Sequence, residues 1–166
     1  MDLTSSLQSA EDLLNYWTRG ISHIGDDRLD VNIPARELVE AVAILRRSKW
    51  GYLSAVTGLD HPAPVQEGEV HPHGSLEILY HFTEGAAVVT LRVSVPYERA
   101  VIPSVCAVLP YATLYERELM ELFGIQITGT PNTDRLILPD DWPDGIYPMR
   151  KSFVGFGEQA KNTEQV

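Results

Sequence analysis

The chain has 166 residues, 44% hydrophobic and 22% charged, with a formal net charge of -10. That length suits one ordinary domain able to bury its own core. The charge argues against nucleic acid or anionic lipid surfaces as partners, because no lysine and arginine cluster offsets it. Cys106 is the only cysteine, so an intrachain disulfide is excluded, and a cluster needing about four thiolates cannot be held by this chain.

In chain order, residues 9–18 read as a helix capped by Ser9, with Leu13, Leu14 and Trp17 on its apolar side and Gly20 at its end. Arg28 to Ile33 alternates as a half-buried strand. Pro34 then suits the first turn of a helix carrying Leu38, Val42 and Leu45, with Arg46, Arg47 and Lys49 at its negative end. Trp50 to Leu59 reads as a strand, and the proline-rich stretch Asp60 to Gly74 as a loop. Leu76, Ile78, Tyr80 and Phe82 alternate with Glu77, Leu79, His81 and Thr83, and Ala87, Val89, Leu91, Val93 and Val95 with Val88, Thr90, Arg92 and Ser94. With Glu84-Gly85 between them, they predict an antiparallel hairpin with one apolar face for helices to cover. Pro103 opens a predicted short helix through Val108. A second helix spans Thr113 to Phe123 with Gly124 as its cap. Beyond Ile125, frequent Gly and Pro predict an irregular tail wrapping over the domain or a neighbour. The fold class is therefore α/β (α+β), an antiparallel or mixed sheet with helices packed on one face. One domain covers 1–157, and 158–166 forms a mobile polar tail.

No phosphate loop, dinucleotide fingerprint or nucleophile elbow is present. Cys106 reads as a small buried apolar residue. His71 and His73, with His61 and His81 nearby in sequence, are the only metal-like group, and a solvated loop is the preferred reading. No stretch approaches the ~18 apolar residues of a membrane span, and the N-terminus lacks signal-peptide regions. A cytosolic, soluble chain that meets a membrane only through a larger assembly is expected.

The predicted helix Thr113–Phe123 is more informative. At about 100° per residue, Arg117, Glu118 and Glu121 fall on one side, where Arg117 and Glu121 can pair. Tyr115, Leu119, Leu122 and Phe123 fall opposite. Glu116 stands apart at the edge of the apolar arc. A buried carboxylate there needs a cationic or backbone partner, with Arg135, Arg150 and Lys151 as candidates. A general acid or base is the catalytic alternative. In the tail, Trp142, Tyr147, Arg150 and Lys151 sit among acids and prolines, a mixture suited equally to an interface and to intramolecular packing.

At these residues the chain resembles the thirty-kilodalton subunit family of complex I, the NADH–quinone oxidoreductase. The likeness rests on Tyr115-Glu116-Arg117-Glu118-Leu119-Met120-Glu121-Leu122-Phe123-Gly124-Ile125. It continues through Gly129-Thr130-Pro131, Arg135-Leu136-Ile137-Leu138 and Pro148-Met149-Arg150-Lys151-Ser152-Phe153, and upstream at Leu79–Phe82 and Ile102–Val105. It covers residues 33–153. Thr130 and Ser152 replace the family's usual His and Asp.

The resemblance implies an α/β subunit of the peripheral arm with no active site and no redox cofactor on this chain. Iron–sulfur clusters, and a quinone or nickel–iron site, would lie on partner subunits. The partners implied are a large quinone-site or hydrogenase-type subunit and iron–sulfur subunits. The implied location is the cytoplasmic side of the membrane, reached through the complex. The same family serves energy-converting hydrogenases and formate hydrogenlyase-like complexes, and the wording of Ile137–Pro148 looks like that branch. Three roles stand: a scaffold of a complex-I-type oxidoreductase, the equivalent hydrogenase subunit, and a stand-alone enzyme using Glu116 with a tail arginine. On the scaffold reading, Glu116 clamps the 129–153 segment.

Overall fold

A computed structural model of the chain describes residues 2–64 and 74–155. The first helix, α1 (Leu3–Leu14), starts six residues before the expected position. Asp2, not Ser9, is its cap, accepting from the Thr4 amide at 2.9 Å, and this satisfies one of the orphan donors of the first turn. Gly20 does not simply end a helix. It opens β1 (Gly20–Ile24), an edge strand that the alternation missed because its side chains are mostly exposed.

The alternating segments behave as their periodicity requires. β2 is Arg28–Asn32, β3 Tyr52–Pro62, β4 Gly74–Glu84 and β5 Ala87–Pro96. They form a five-stranded mixed sheet ordered β1-β2-β5-β4-β3, in which only β2 and β5 run parallel. Asp60 to Pro62 extends β3 instead of opening a loop, because those residues pair with Leu76, Ser75 and Gly74. The histidine pair at 71 and 73 lies outside the described residues, as does the segment 158–166. His61 and His81 are engaged separately, with Glu77 at 3.0 Å and Thr90 at 3.1 Å.

One face of the sheet is apolar. Leu29, Val31, Leu76, Ile78, Tyr80, Phe82, Val89, Leu91 and Val93 are buried beneath the helices. A helical turn at Ala35–Glu37 leads into α2 (Leu38–Arg47), which packs against α1, while α1 lies over β2 and β5. The opposite face is polar. There Arg92 donates to Asp30 at 2.7 Å and to both oxygens of Glu77 at 2.8 and 2.9 Å. Those bonds hold the Glu77 carboxyl below its ordinary range.

The segment expected to be a short helix, Pro103–Val108, is not helical. Val101–Pro103 forms β6, which pairs in parallel with β7 (Gln126–Thr128), and a turn follows. The connection between these strands is α3 (Thr113–Phe123), whose bounds match the sequence reading. A parallel pair requires such a crossover. Gly124 ends α3 in the left-handed conformation, φ 68°.

α3 meets the sheet at β3, where the Tyr115 hydroxyl donates to the Ser54 carbonyl at 3.1 Å and Phe123 lies against Gly58. A Cβ on Gly58 of β3 would lie 2.5–2.9 Å from the Phe123 ring, closer than any carbon pair tolerates. Gly58→Ala should therefore cost about 1–3 kcal/mol by overpacking, lowering Tm by several degrees in a circular-dichroism melt. An unchanged Tm would show that α3 is free to shift off the sheet.

Candidate functional site

The candidate site is the α3 helix, the turn after β6 and the tail from residue 129. Glu116 lies in the first turn of α3, where a negative group suits the helix dipole. It is 1% exposed. The parallel pairing of β6 and β7 delivers the next residues directly beneath it. Ser104 Oγ lies 2.9 and 2.8 Å from the two carboxylate oxygens and shares its proton between them. The Val105 amide donates at 2.8 Å and the Cys106 thiol at 3.2 Å.

The partner of Glu116 is therefore a backbone amide with a hydroxyl and a thiol, and none of the three tail cations expected from the sequence. The Val105 amide is taken by Glu116 and the Cys106 amide by Ser104 Oγ at 3.1 Å, which ties the turn to α3. The expected helix is reduced to this turn because Pro103 pairs with Thr128 in the sheet and the Ser104 amide donates to the Thr128 carbonyl at 2.9 Å, so the start of the segment is held as strand. Burial pushes the Cys106 thiol up to about 11, the behaviour of an inert structural cysteine. Burial, with Glu116 and Cys106 close by, raises the Tyr80 hydroxyl as well.

The clamp on the tail exists, but it is built from the other charges of α3. Arg117 donates from Nε to the Asp134 carbonyl at 2.7 Å and from Nη2 to the Arg135 carbonyl at 2.6 Å. Glu121 accepts from the amides of Leu136, Ile137 (2.8 Å) and Leu138 (3.1 Å). The expected Arg117–Glu121 pair gives way to these contacts, because each side chain satisfies backbone that an irregular segment cannot satisfy internally. The arc expected to face water or a partner thus faces the protein's own tail, with Glu118 half-exposed beside it.

The remaining tail residues are brought together in a second anchorage. Arg135 donates to the Pro139 carbonyl and Asp144, each at 2.8 Å. Trp142 donates to the Ile146 carbonyl at 2.8 Å, and its ring lies 6.1 Å from that of Phe153. Tyr147 packs on Gly124, where a Cβ would run into the ring. Gly124 is thus required twice, for its φ and for this contact.

Arg150 donates from Nε to the Phe123 carbonyl at 2.6 Å, capping α3, and its guanidinium stacks 4.7 Å from the Tyr97 ring centroid. Lys151 contributes its amide, not its ammonium, to Asp60 at 2.7 Å. Asp60, buried at the end of β3, also accepts from the Tyr97 hydroxyl. Sequence reasoning missed Asp60, Tyr97 and Ser104 as anchors. Ser104 lay within a recognisable stretch, but nothing local marked Asp60, which looked like a loop residue.

Two substitutions test these anchors. Glu116→Gln turns an acceptor-only group into one that presents N–H toward two of its donors, and should cost about 2–4 kcal/mol in urea unfolding. Equal stability would overturn the account of the buried carboxylate. Glu121→Ala removes the acceptor for three tail amides and should speed tryptic cleavage after Arg135 about tenfold while the sheet domain stays intact. Cleavage at the wild-type rate would show that the tail is held elsewhere.

Comparison with known proteins gives one consistent picture. The family described as "Respiratory-chain NADH dehydrogenase, 30 Kd subunit" matches residues 31–159. Formate hydrogenlyase subunit 5 of Escherichia coli is 32% identical over 138 residues, covering 82% of this chain and 23% of that protein. The NADH-quinone oxidoreductase C/D subunit of Methylococcus capsulatus is 35% identical over 124 residues, covering 72% of this chain and 21% of that protein. This chain thus spans less than a quarter of the length of those two relatives. Among solved structures, a chain of the membrane-bound sulfane sulfur reductase, an archaeal respiratory membrane complex, shares the fold. Its TM-score is 0.69 at 20% identity, over 96% of this chain and 92% of that one. A trypsin-resistant fragment (1-134) of Nqo5 aligns with TM-score 0.59 at 25% identity, over 80% of this chain and 99% of that one.

Proposed function

Because the chain belongs to the respiratory-chain NADH dehydrogenase 30 kDa subunit family, we propose that it is a non-catalytic structural subunit in the peripheral arm of a complex-I-type oxidoreductase. The observation that carries this reading is the use of the signature helix. Glu116 holds the turn after β6, and Arg117 and Glu121 hold tail backbone. The charged groups that mark the family are tied into the chain itself, building a rigid surface. Glu116 as a general acid or base is disfavoured by its burial beneath three donors, which leaves no path to a substrate.

In this reading the redox groups, iron–sulfur clusters and a quinone or nickel–iron site, are carried by partner subunits. Those partners are a large quinone-site or hydrogenase-type subunit and cluster-bearing subunits. The chain sits on the cytoplasmic side of the membrane through them. No helix among the described residues is long and apolar enough to cross a membrane, in keeping with attachment through a complex.

A hydrogenase or formate hydrogenlyase-like assembly is the second reading. It is favoured by the similarity to formate hydrogenlyase subunit 5 and by 37% identity over 83 residues to the membrane-bound hydrogenase subunit beta of Pyrococcus furiosus.

Purification through an affinity tag on this chain, from its own host in mild detergent, should recover a large subunit and iron–sulfur subunits in stoichiometric amounts. The companion subunits separate the branches: NADH-oxidising proteins mark complex I, and a nickel-ligating large subunit marks hydrogenase. Recovery of the chain alone, or turnover by the isolated chain, would overturn the proposal.

A further inference from the structure

The C-terminal end of α2 is built in an uncommon way. The Trp50 amide donates to the Leu45 carbonyl at 2.9 Å and the Lys49 amide to the Arg46 carbonyl at 3.2 Å. These are the paired bonds of a Schellman ending, which places residue 49 in the left-handed conformation, φ 56°. Glycine ordinarily fills that position because a Cβ there crowds the backbone. Here it is a lysine, the only non-glycine residue with positive φ among the described residues.

That lysine completes a group. Arg46, Arg47 and Lys49 are all exposed, a local reversal of sign in a chain of net charge -10. Arg47 lies 3.5 Å from Glu40, an exposed pair that constrains it little. Beside the cations stand two exposed aromatics, Tyr52 at 65% and Tyr111 at 47% exposure. The Tyr111 hydroxyl reaches the Leu53 carbonyl at 3.4 Å. Between them lies a cavity of about 150 Å³ walled by Arg46, Tyr52, Leu53, Phe82, Leu109 and Tyr111, with room for one aliphatic side chain.

We propose that this corner docks an acidic segment of a partner subunit, its carboxylates over Arg46, Arg47 and Lys49 and one aliphatic side chain in the cavity between Tyr52 and Tyr111. The inference rests on the reading that the chain works inside a multisubunit complex, and adds the surface and the partner's chemistry. Tyrosine and arginine around a small pocket are the residue types that carry binding energy at interfaces. An acidic segment is repelled by an acidic protein as a whole and attracted at this corner, which sets its orientation. The lysine at a position suited to glycine keeps a cation at a backbone cost, the trade seen where function competes with stability.

The test places photoreactive benzoylphenylalanine at Tyr52 in the tagged full chain, irradiates the complex assembled in its own host, and identifies the cross-linked peptide by mass spectrometry. The expected product is an Asp- and Glu-rich peptide of another subunit, with yield falling about tenfold in Arg46→Glu/Arg47→Glu. Lys49→Gly should lower the yield while raising the Tm of the full chain by about 3 °C, opposite movements that a purely structural role would not produce. A cross-link to a basic or uncharged peptide, to a second copy of this chain or to lipid overturns the proposal. An assembled complex with no cross-link from Tyr52 does so too, and leaves the subunit reading intact. A chain that purifies alone overturns both.

Discussion

A carboxylate removed from water must find donors or lose its charge, and Glu116 finds three within one turn of chain. That requirement organises this half of the molecule. The donors belong to Ser104, Val105 and Cys106, so the turn after β6 is drawn against the first turn of α3. With that turn set, β6 and β7 lie side by side, and α3 becomes a rigid crossover whose far end, Phe123, settles into the space left by Gly58 on β3. Desolvation makes the arrangement exacting: any partner lost leaves a buried charge or a buried donor unmatched.

The tail is held by a different principle. Arg117, Glu121 and Asp60 engage its backbone, while Arg150 and Tyr147 return side chains from the tail to the end of α3. The two departures from the family pattern lie at the surface of this segment. Thr130 bonds locally to the Asn132 carbonyl at 3.4 Å, and Ser152 is exposed. Ser152 lines a cleft together with Asp60, Tyr97, Tyr147 and Arg150. Side chains freed from holding the tail remain on its surface, where Leu136, Ile137 and Met149 are exposed. Apolar groups held exposed on a fixed backbone are the kind of surface that partners cover, in keeping with the proposed subunit role.

The charge distribution sharpens that view. Asp140, Asp141 and Asp144 are exposed on the tail, whereas Arg46, Arg47 and Lys49 are exposed at the end of α2. The protein offers surfaces of opposite sign to its surroundings, and on the polar face of the sheet Arg92 is paired with both Asp30 and Glu77. An assembly can read such a pattern for orientation.

Periodicity and local chemistry determined much of this from the sequence. The β4–β5 hairpin follows from alternation, α3 from helical spacing closed by a glycine, and the separateness of Glu116 from its place on the helical wheel. The family was legible in separated motifs for the same reason: they are the residues that build α3 and its anchors. What the sequence could not decide were pairings between distant segments. The alternation of β2 does not say that it runs parallel to β5, and a three-residue strand such as β6 has no period to detect. A wheel places Glu116 toward the interior without saying which donors wait there. Those choices were made by the tertiary structure. Ser104 meets Glu116, and Asp60 meets Lys151, only because the sheet and crossover bring residues far apart in the chain within hydrogen-bond reach, and no local signal carries that information.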